Sequence, residues 1–266
     1  MHSMPEFPDS RGRSLFWWRF GGTALFLLAW EVSAFLAGSR LVLPSPLDVL
    51  QVFARVSQTA KFWQAVAGSF LRVIEAFALS IVLGIAAGTA GGLKPHVDAF
   101  LSPLVTGMRA TPVLALILLA MFWFPSSQVP VFSAILMAFP VMYTSAESGV
   151  RAADRKLVEM SRLFRVPRHI QLLRLHIPSA MPHLLSGAKN ALGLCWKVVV
   201  AGEVLSQPAK ALGTAMQESR LMLETTEVFA WAITTVLLCG LSEYAFGLLA
   251  NARKRFFHAM PGAPAK

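Results

Sequence analysis

Long apolar runs separated by short polar gaps dominate the chain. Six stand out, at about 20–37, 65–93, 104–124, 129–146, 184–205 and 228–250. Each approaches or exceeds the roughly 20 residues that a helix needs to cross the hydrocarbon core of a bilayer. The pattern therefore predicts an all-α, polytopic membrane protein with about six transmembrane helices. Helices are required because lipid offers no partner to a free backbone N–H or C=O group. Prolines 44, 46, 95, 103, 125 and 208 fall in or beside the gaps, where they can end helices without stranding such groups in lipid. The first run resembles a signal-peptide core in position, but it is long for that role and five more runs follow, so it reads as an uncleaved first span. The expected organisation is an N-terminal tail at 1–19, one transmembrane domain at 20–250 and a C-terminal tail at 251–266.

Composition agrees with this pattern. Of 266 residues, 55% are hydrophobic and 14% charged, with a mean hydropathy of +0.58. A soluble domain carries about 25% charged residues, so a water-soluble globule and a disordered chain are both excluded. The net charge of +10 is distributed in a telling way. With the N-terminus in the cytoplasm, the inside segments hold fifteen Lys and Arg residues: Arg11, Arg13, Arg19, Lys94, Arg151, Arg155, Lys156, Arg162, Arg165, Arg168, Arg174, Arg253, Lys254, Arg255 and Lys266. The outside segments hold five, Arg40, Arg55, Lys61, Lys210 and Arg220. The positive-inside rule then predicts N-in and C-in. Cations in gaps between spans account for the charge without nucleic acid as a partner. Cys195 and Cys239 both lie in apolar runs with no CxxC pair, so neither a disulfide framework nor a zinc site is expected.

The second run carries Gly84, Gly88 and Gly92 on one helical face, a spacing that lets helix backbones approach closely. Packing within the chain is the simpler use of this face, and contact with a second subunit the other. Between the fourth and fifth runs, residues 147–183 form a gap much longer than a helix connection needs. Leu157, Met160 and Phe164, then Ile170, Leu173 and Ile177, place apolar side chains at helical spacing. Arg155, Lys156, Arg162, Arg168 and Arg174 take other faces. Two short amphipathic helices are predicted, the second entered at Pro167 and ended at Pro178. Such helices either lie on headgroups or fill a groove on a partner.

Glu159-Met160-Ser161, then Arg165, then Leu175-His176-Ile177-Pro178 resembles the EAA loop of ATP-binding-cassette (ABC) importer permeases. That pattern is Glu-Ala-Ala, three residues, Gly, nine residues, Ile-x-Leu-Pro. Met160 and Ser161 stand where the family has alanines, and Arg165 where it has glycine. Leu43-Pro44-Ser45-Pro46, Pro103 through Arg109 to Pro112, residues 149–154, and Ala191 through Trp196 with Ala201-Gly202-Glu203 are similar to the nitrate, sulfonate and taurine branch. The resemblance implies a permease of the bacterial inner membrane that performs no bond chemistry and needs no cofactor. It implies three partners besides membrane lipid: a cytoplasmic ABC ATPase dimer, a second permease copy and an extracytoplasmic solute-binding protein. The helix at about 156–165 is the expected coupling helix. Glu159 would pair with a basic residue of the ATPase, Met160 and Phe164 would fill its apolar cleft, and Ser161, Arg165 and Pro178 complete the loop. Arginine at 165 is strained if that position needs positive φ. The chain has no GxxxxGK[ST], so ATP hydrolysis belongs to the partner.

Ionisable residues within spans mark pathways by default, because charge at membrane depth is costly unless paired or wet. Glu31, Glu75, Lys197, Glu203 and Glu243 qualify, with Arg72 and Arg109 nearer span ends. Arg72 and Glu75, one turn apart, can neutralise each other. Lys197, Glu203 and Arg109 are the candidates for a solute path, with Lys197 facing an anionic solute such as a sulfonate or nitrate. A structural ion pair is the competing use of Lys197. His169, His176 and His183 recur every seven residues, but Pro178 and Pro182 interrupt the helix that would align them, so no metal is expected. Trp17, Trp18, Trp63 and Trp123 near span ends read as interface anchors. Two rivals stand beside the permease: the coupling subunit of a vitamin-type importer, which gives no reason for the Glu159-to-Pro178 spacing, and a membrane-embedded enzyme, which needs clustered acids or histidines.

Overall fold

A computed structural model describes the backbone of residues 10–258 and the side chains of residues 17, 18 and 20–250. Residues 1–9 and 259–266 of the two expected tails lie outside the described residues, as do the side chains of Arg11, Arg13, Arg19, Arg253, Lys254, Arg255 and Lys266. The described secondary structure is helical throughout. In chain order it comprises α1 (Ser10–Ala37), α2 (Pro46–Val56), α3 (Ala60–Leu93), α4 (Pro95–Ala110), α5 (Val113–Trp123), α6 (Val129–Arg151), α7 (Arg155–Leu163), α8 (Arg168–Gln171), a π-helical turn (Leu172–His176), α9 (Ile177–Ser206), α10 (Leu212–Leu221) and α11 (Thr225–His258).

Helices α3, α6 and α9 form the centre. The glycine face of α3 lies against α6: a Cβ at Gly84 would meet Met142, one at Gly88 the Tyr143 carbonyl, and one at Gly92 Val150. In lipid, burial alone does not press helices together, so this close approach provides the van der Waals contact that does. The glycine spacing thus serves packing within the chain. Trp196 and Cys195 of α9, Met142 of α6 and Val73 of α3 fill the core, joined by Trp231 of α11 stacked at 5.5 Å on Phe62. Helix α1 stands at the periphery: no residue of Phe20–Ala37 is buried, and Trp30 ties it down through Pro44 O (3.0 Å) and the Phe229 ring. Trp17, Trp18, Trp63 and Trp123 are all exposed.

Three expectations change. The third run is not one straight span. It is split into α4 and α5, which meet at 102°. Pro112 has no N–H and pushes the preceding residue out of the helical region, and Thr111 is extended (φ −76°, ψ 128°). Second, Pro178 does not end a helix. Among the described residues five helices are long and apolar enough to span a membrane, and one of them runs unbroken over Arg168–Ser206 through α8, the π turn and α9. Ile177 N donates to Leu172 O, a wide i→i+5 turn that accommodates Pro178 in the first turn of α9. Third, the gaps at 38–64 and 206–227 contain helices α2 and α10. Ser45 caps α2 by accepting from Asp48 N (3.1 Å), with Pro46 in its first turn.

Contacts sort the gaps onto two ends. Thr225 Oγ1 donates to Leu41 O (2.8 Å), Ser206 Oγ to Ser126 O (3.1 Å), and Lys61 pairs with Glu218 (2.7 Å) at one end. At the other, Arg151 pairs with Asp98 (2.8 Å) and His176 Nδ1 meets Val150 O (3.2 Å). This division matches six crossings when the bent α4–α5 pair is counted as one span.

Candidate functional site

At the second end, Asp154 caps α7 by accepting from Lys156 N (2.8 Å). The helix then closes with Arg165 N donating to Arg162 O (3.0 Å) and Val166 N to Ser161 O (2.9 Å). This paired closure needs a left-handed residue after the cap. Arg165 supplies it at φ 50°, so an arginine occupies a conformation suited to glycine. Ser161 is half-buried, with its hydroxyl on Val158 O (2.7 Å). Gln171 Nε2 donates to Val166 O (2.7 Å) and ties the joint to the long helix that follows.

No residue of α7 is buried. At about 100° per residue, Leu157, Met160 and Phe164 share one side of this turn. They are 49%, 54% and 73% exposed, with Leu163 beside them. Arg155, Val158, Glu159 and Arg162 occupy the opposite side and line a cleft against the ends of α3 and α6. Glu159 therefore stands on the shoulder between the cleft and the apolar face. Pro178 is exposed nineteen positions further on, in the first turn of α9.

The middle of the central helix α9 is enclosed. Between Ala191 and Val200 only Lys197 is exposed and only Leu194 half-buried. Ser186, Lys189 and Asn190 continue the exposed line toward the α7 end. Lys197 forms no ion pair among the described residues, and Glu243 of α11 lies against Gly193, one turn away. Lys189 and Asn190 escaped the sequence reading because they sit near a span end, where polar residues are ordinary. Their spacing from Lys197 was the available signal. Arg109 is exposed in the last turn of α4, just before the break at Pro112.

Glu203 departs from expectation. Six positions beyond Lys197 it faces a different side of α9, and no part of its side chain is exposed. Its carboxylate accepts from Ser69 Oγ (2.8 and 2.7 Å), Arg72 Nη1 (2.9 Å) and Gly213 N (3.1 Å). Ser69 Oγ in turn accepts from Leu212 N (2.9 Å), and Arg72 donates to Ala209 O (2.9 Å) and Lys210 O (3.3 Å). The carboxylate thus pins α3, α9 and α10 together rather than lining a path in this conformation. The partner of Arg72 is Glu203, not Glu75, which is exposed on α3. No group of three or more His, Cys, Asp or Glu residues that could hold a metal occurs among the described residues.

The chain can be compared with known proteins on this geometry. It is 27% identical over 242 residues to a putative aliphatic sulfonates transport permease protein of Bacillus subtilis, covering 90% of this chain and 87% of that protein. It is 29% identical over 241 residues to the taurine transport system permease protein of Escherichia coli, covering 88% and 86%. A bicarbonate transport system permease protein of Synechococcus elongatus is 27% identical over 202 residues, 71% of each chain. Among solved structures, an inward-facing MetNI methionine ABC transporter chain has a TM-score of 0.56 at 17% identity, over 71% of this chain and 93% of that one. A chain of an amino acid ABC transporter has 0.58 at 17%, over 76% and 96%. At that identity the two structures establish the fold alone. The model of the family described as the binding-protein-dependent transport system inner membrane component matches residues 80–256. The chain belongs to that family and is a multi-pass inner-membrane permease subunit of an ABC importer.

Proposed function

We propose that the chain forms one half of a passage for a small anion, pairs with a second copy, and is driven by a cytoplasmic ATPase dimer that docks on α7. A solute-binding protein delivers the anion at the opposite end, and both termini are cytoplasmic. The observation that carries this reading is α7 itself. It is a capped nine-residue helix at the end of the bundle with its apolar side uncovered. An exposed apolar face on a short, fixed helix fits insertion into a groove on a partner. Glu159 on the shoulder of that face is within reach of a basic residue of the same partner, where a charge-assisted hydrogen bond would fix the register.

The anion is favoured by Lys197, the one exposed residue between Ala191 and Val200 of α9 and a cation with no ion pair among the described residues. The relatives named for sulfonates, taurine and bicarbonate all concern solutes with an anionic group. Orientation follows from charge: among described side chains, the α7 end carries Lys94, Arg151, Arg155, Lys156, Arg162, Arg165, Arg168 and Arg174. The test is Met160→Asp with Phe164→Asp. Membrane insertion should be unchanged, while ATPase co-purification and solute-stimulated hydrolysis fall at least tenfold. Normal recovery of the ATPase would remove α7 as its docking element.

A further inference from the structure

The cleft behind α7 has a volume of about 1170 Å³ and is walled by separate stretches of chain. Lys94 enters from the end of α3, Arg151 from the end of α6, Arg155 and Arg162 from α7, and Arg168 from the start of α8. His169 and His176, the latter with Nδ1 against Val150 O, also line it, and Glu159 is the one carboxylate on the wall. Arg151 is occupied by Asp98 and Glu147, both at 2.8 Å. Lys94, Arg155, Arg162 and Arg168 form no ion pair among the described residues. The positive-inside rule explains cations beside a membrane, but not their convergence from four elements on one cavity. Like charges gathered in a cleft raise one another's energy and focus a field that an anion relieves.

Position and shape narrow the ligand. Lys94 and Arg151 mark the ends of two spans, so the cleft opens at headgroup level, and Leu93 and Val150 give it an apolar border. Arginine forks match a phosphate bidentately. Basic pockets of this kind at the cytoplasmic membrane surface suit anionic lipid. Apart from Glu159, which stands on the shoulder between the two, the α7 wall of the cleft lies opposite Leu157, Met160 and Phe164, so an occupant and a docked ATPase take different faces. We propose that this cleft binds the phosphodiester headgroup of an anionic phospholipid and thereby fixes α7 against the ends of α3 and α6. The same oxyanion chemistry is available from free phosphate, and the experiment separates the two sources.

The full-length chain is placed in phosphatidylcholine nanodiscs with or without one-third phosphatidylglycerol, and retained lipid is counted by native mass spectrometry. Wild type and Arg174→Gln, whose exposed side chain lies off the cleft, should each retain phosphatidylglycerol. The triple variant Arg155→Gln/Arg162→Gln/Arg168→Gln should retain at least tenfold less, and Lys94→Gln, a milder change outside α7, should move in the same direction. In wild type, phosphatidylglycerol should also slow amide exchange in α7. Equal retention by wild type, the triple variant and Lys94→Gln would overturn the proposal. So would displacement of phosphatidylglycerol by millimolar inorganic phosphate, which would assign the cleft to the free ion.

Discussion

Removing Arg72 while leaving Glu203 in place tests the network that joins α3, α9 and α10. The Glu203 side chain has no exposed surface and Arg72 is 14% exposed. Arg72→Met leaves the carboxylate with only Ser69 and the Gly213 amide as donors, and it frees the Ala209 and Lys210 carbonyls. Breaking a buried pair from one side costs about 3–5 kcal/mol, because the remaining charge is stranded. Glu203→Leu should cost less, since the guanidinium keeps those two carbonyls and some access to solvent. In Arg72→Met/Glu203→Leu no charge is stranded. Beyond the Ala209 and Lys210 carbonyls, which both variants free, the remaining loss is mainly the Gly213 N–H, worth about 1–3 kcal/mol when a buried donor goes unpaired, since the Ser69 hydroxyl can turn to a carbonyl of its own helix. The double variant should therefore be more stable than Arg72→Met alone, by roughly 1–3 kcal/mol, a coupling that additivity forbids. Dodecyl sulfate unfolding in mixed micelles, followed through tryptophan fluorescence from the buried Trp196 and Trp231, measures the order. If Arg72→Met proved as stable as the double variant, the pair would not be the element that holds this end together.

Three further outcomes follow from the same geometry. Lys197→Met should lower uptake of an anionic solute while assembly and basal ATP hydrolysis persist; unchanged uptake would take Lys197 off the path. Arg165→Gly removes a left-handed cost of roughly 1–2 kcal/mol for an L-residue, partly offset by the freer unfolded chain, so exchange of the Val166 amide should slow by a few-fold; faster exchange would contradict the strain at φ 50°. A cysteine at Ser126 should label from outside the cell and one at Arg165 only after permeabilisation. Labelling of both from one side would refute the N-in arrangement.

The apolar runs, the glycine face of α3 and the span from Glu159 to Pro178 were legible in the chain because each is a local property. Hydrophobic length, a four-residue repeat and a motif spacing do not depend on what packs nearby. Helix α7 was readable for the same reason, since its apolar positions and its cap lie within one short stretch. Helix α10 carried no such signal: no side chain caps it, and Leu212 is anchored by Ser69, far away in sequence, and Gly213 by Glu203 of the preceding helix. Pro178 illustrates a second limit. A proline read alone says that a helix stops, whereas a widened turn before it lets Arg168–Ser206 continue.

The sequence by itself determined what solvent this protein lives in and where its long apolar helices and the short amphipathic helix α7 lie, because transfer free energy and periodicity are summed along the chain. Only the tertiary structure decided which charges are used for what. Arg72 and Glu75 are neighbours on a helix, yet Arg72 turns to Glu203, because a desolvated carboxylate needs a cation more than an exposed one does. Lys197 and Glu203 are close in the chain but face different sides of α9, and that rotation separates an exposed line from a buried tie. The cations of the α7 end read as a scattered topological signal until folding gathers five of them around one cleft. Charge acts through distance in space, and distance in space is what the chain alone does not contain.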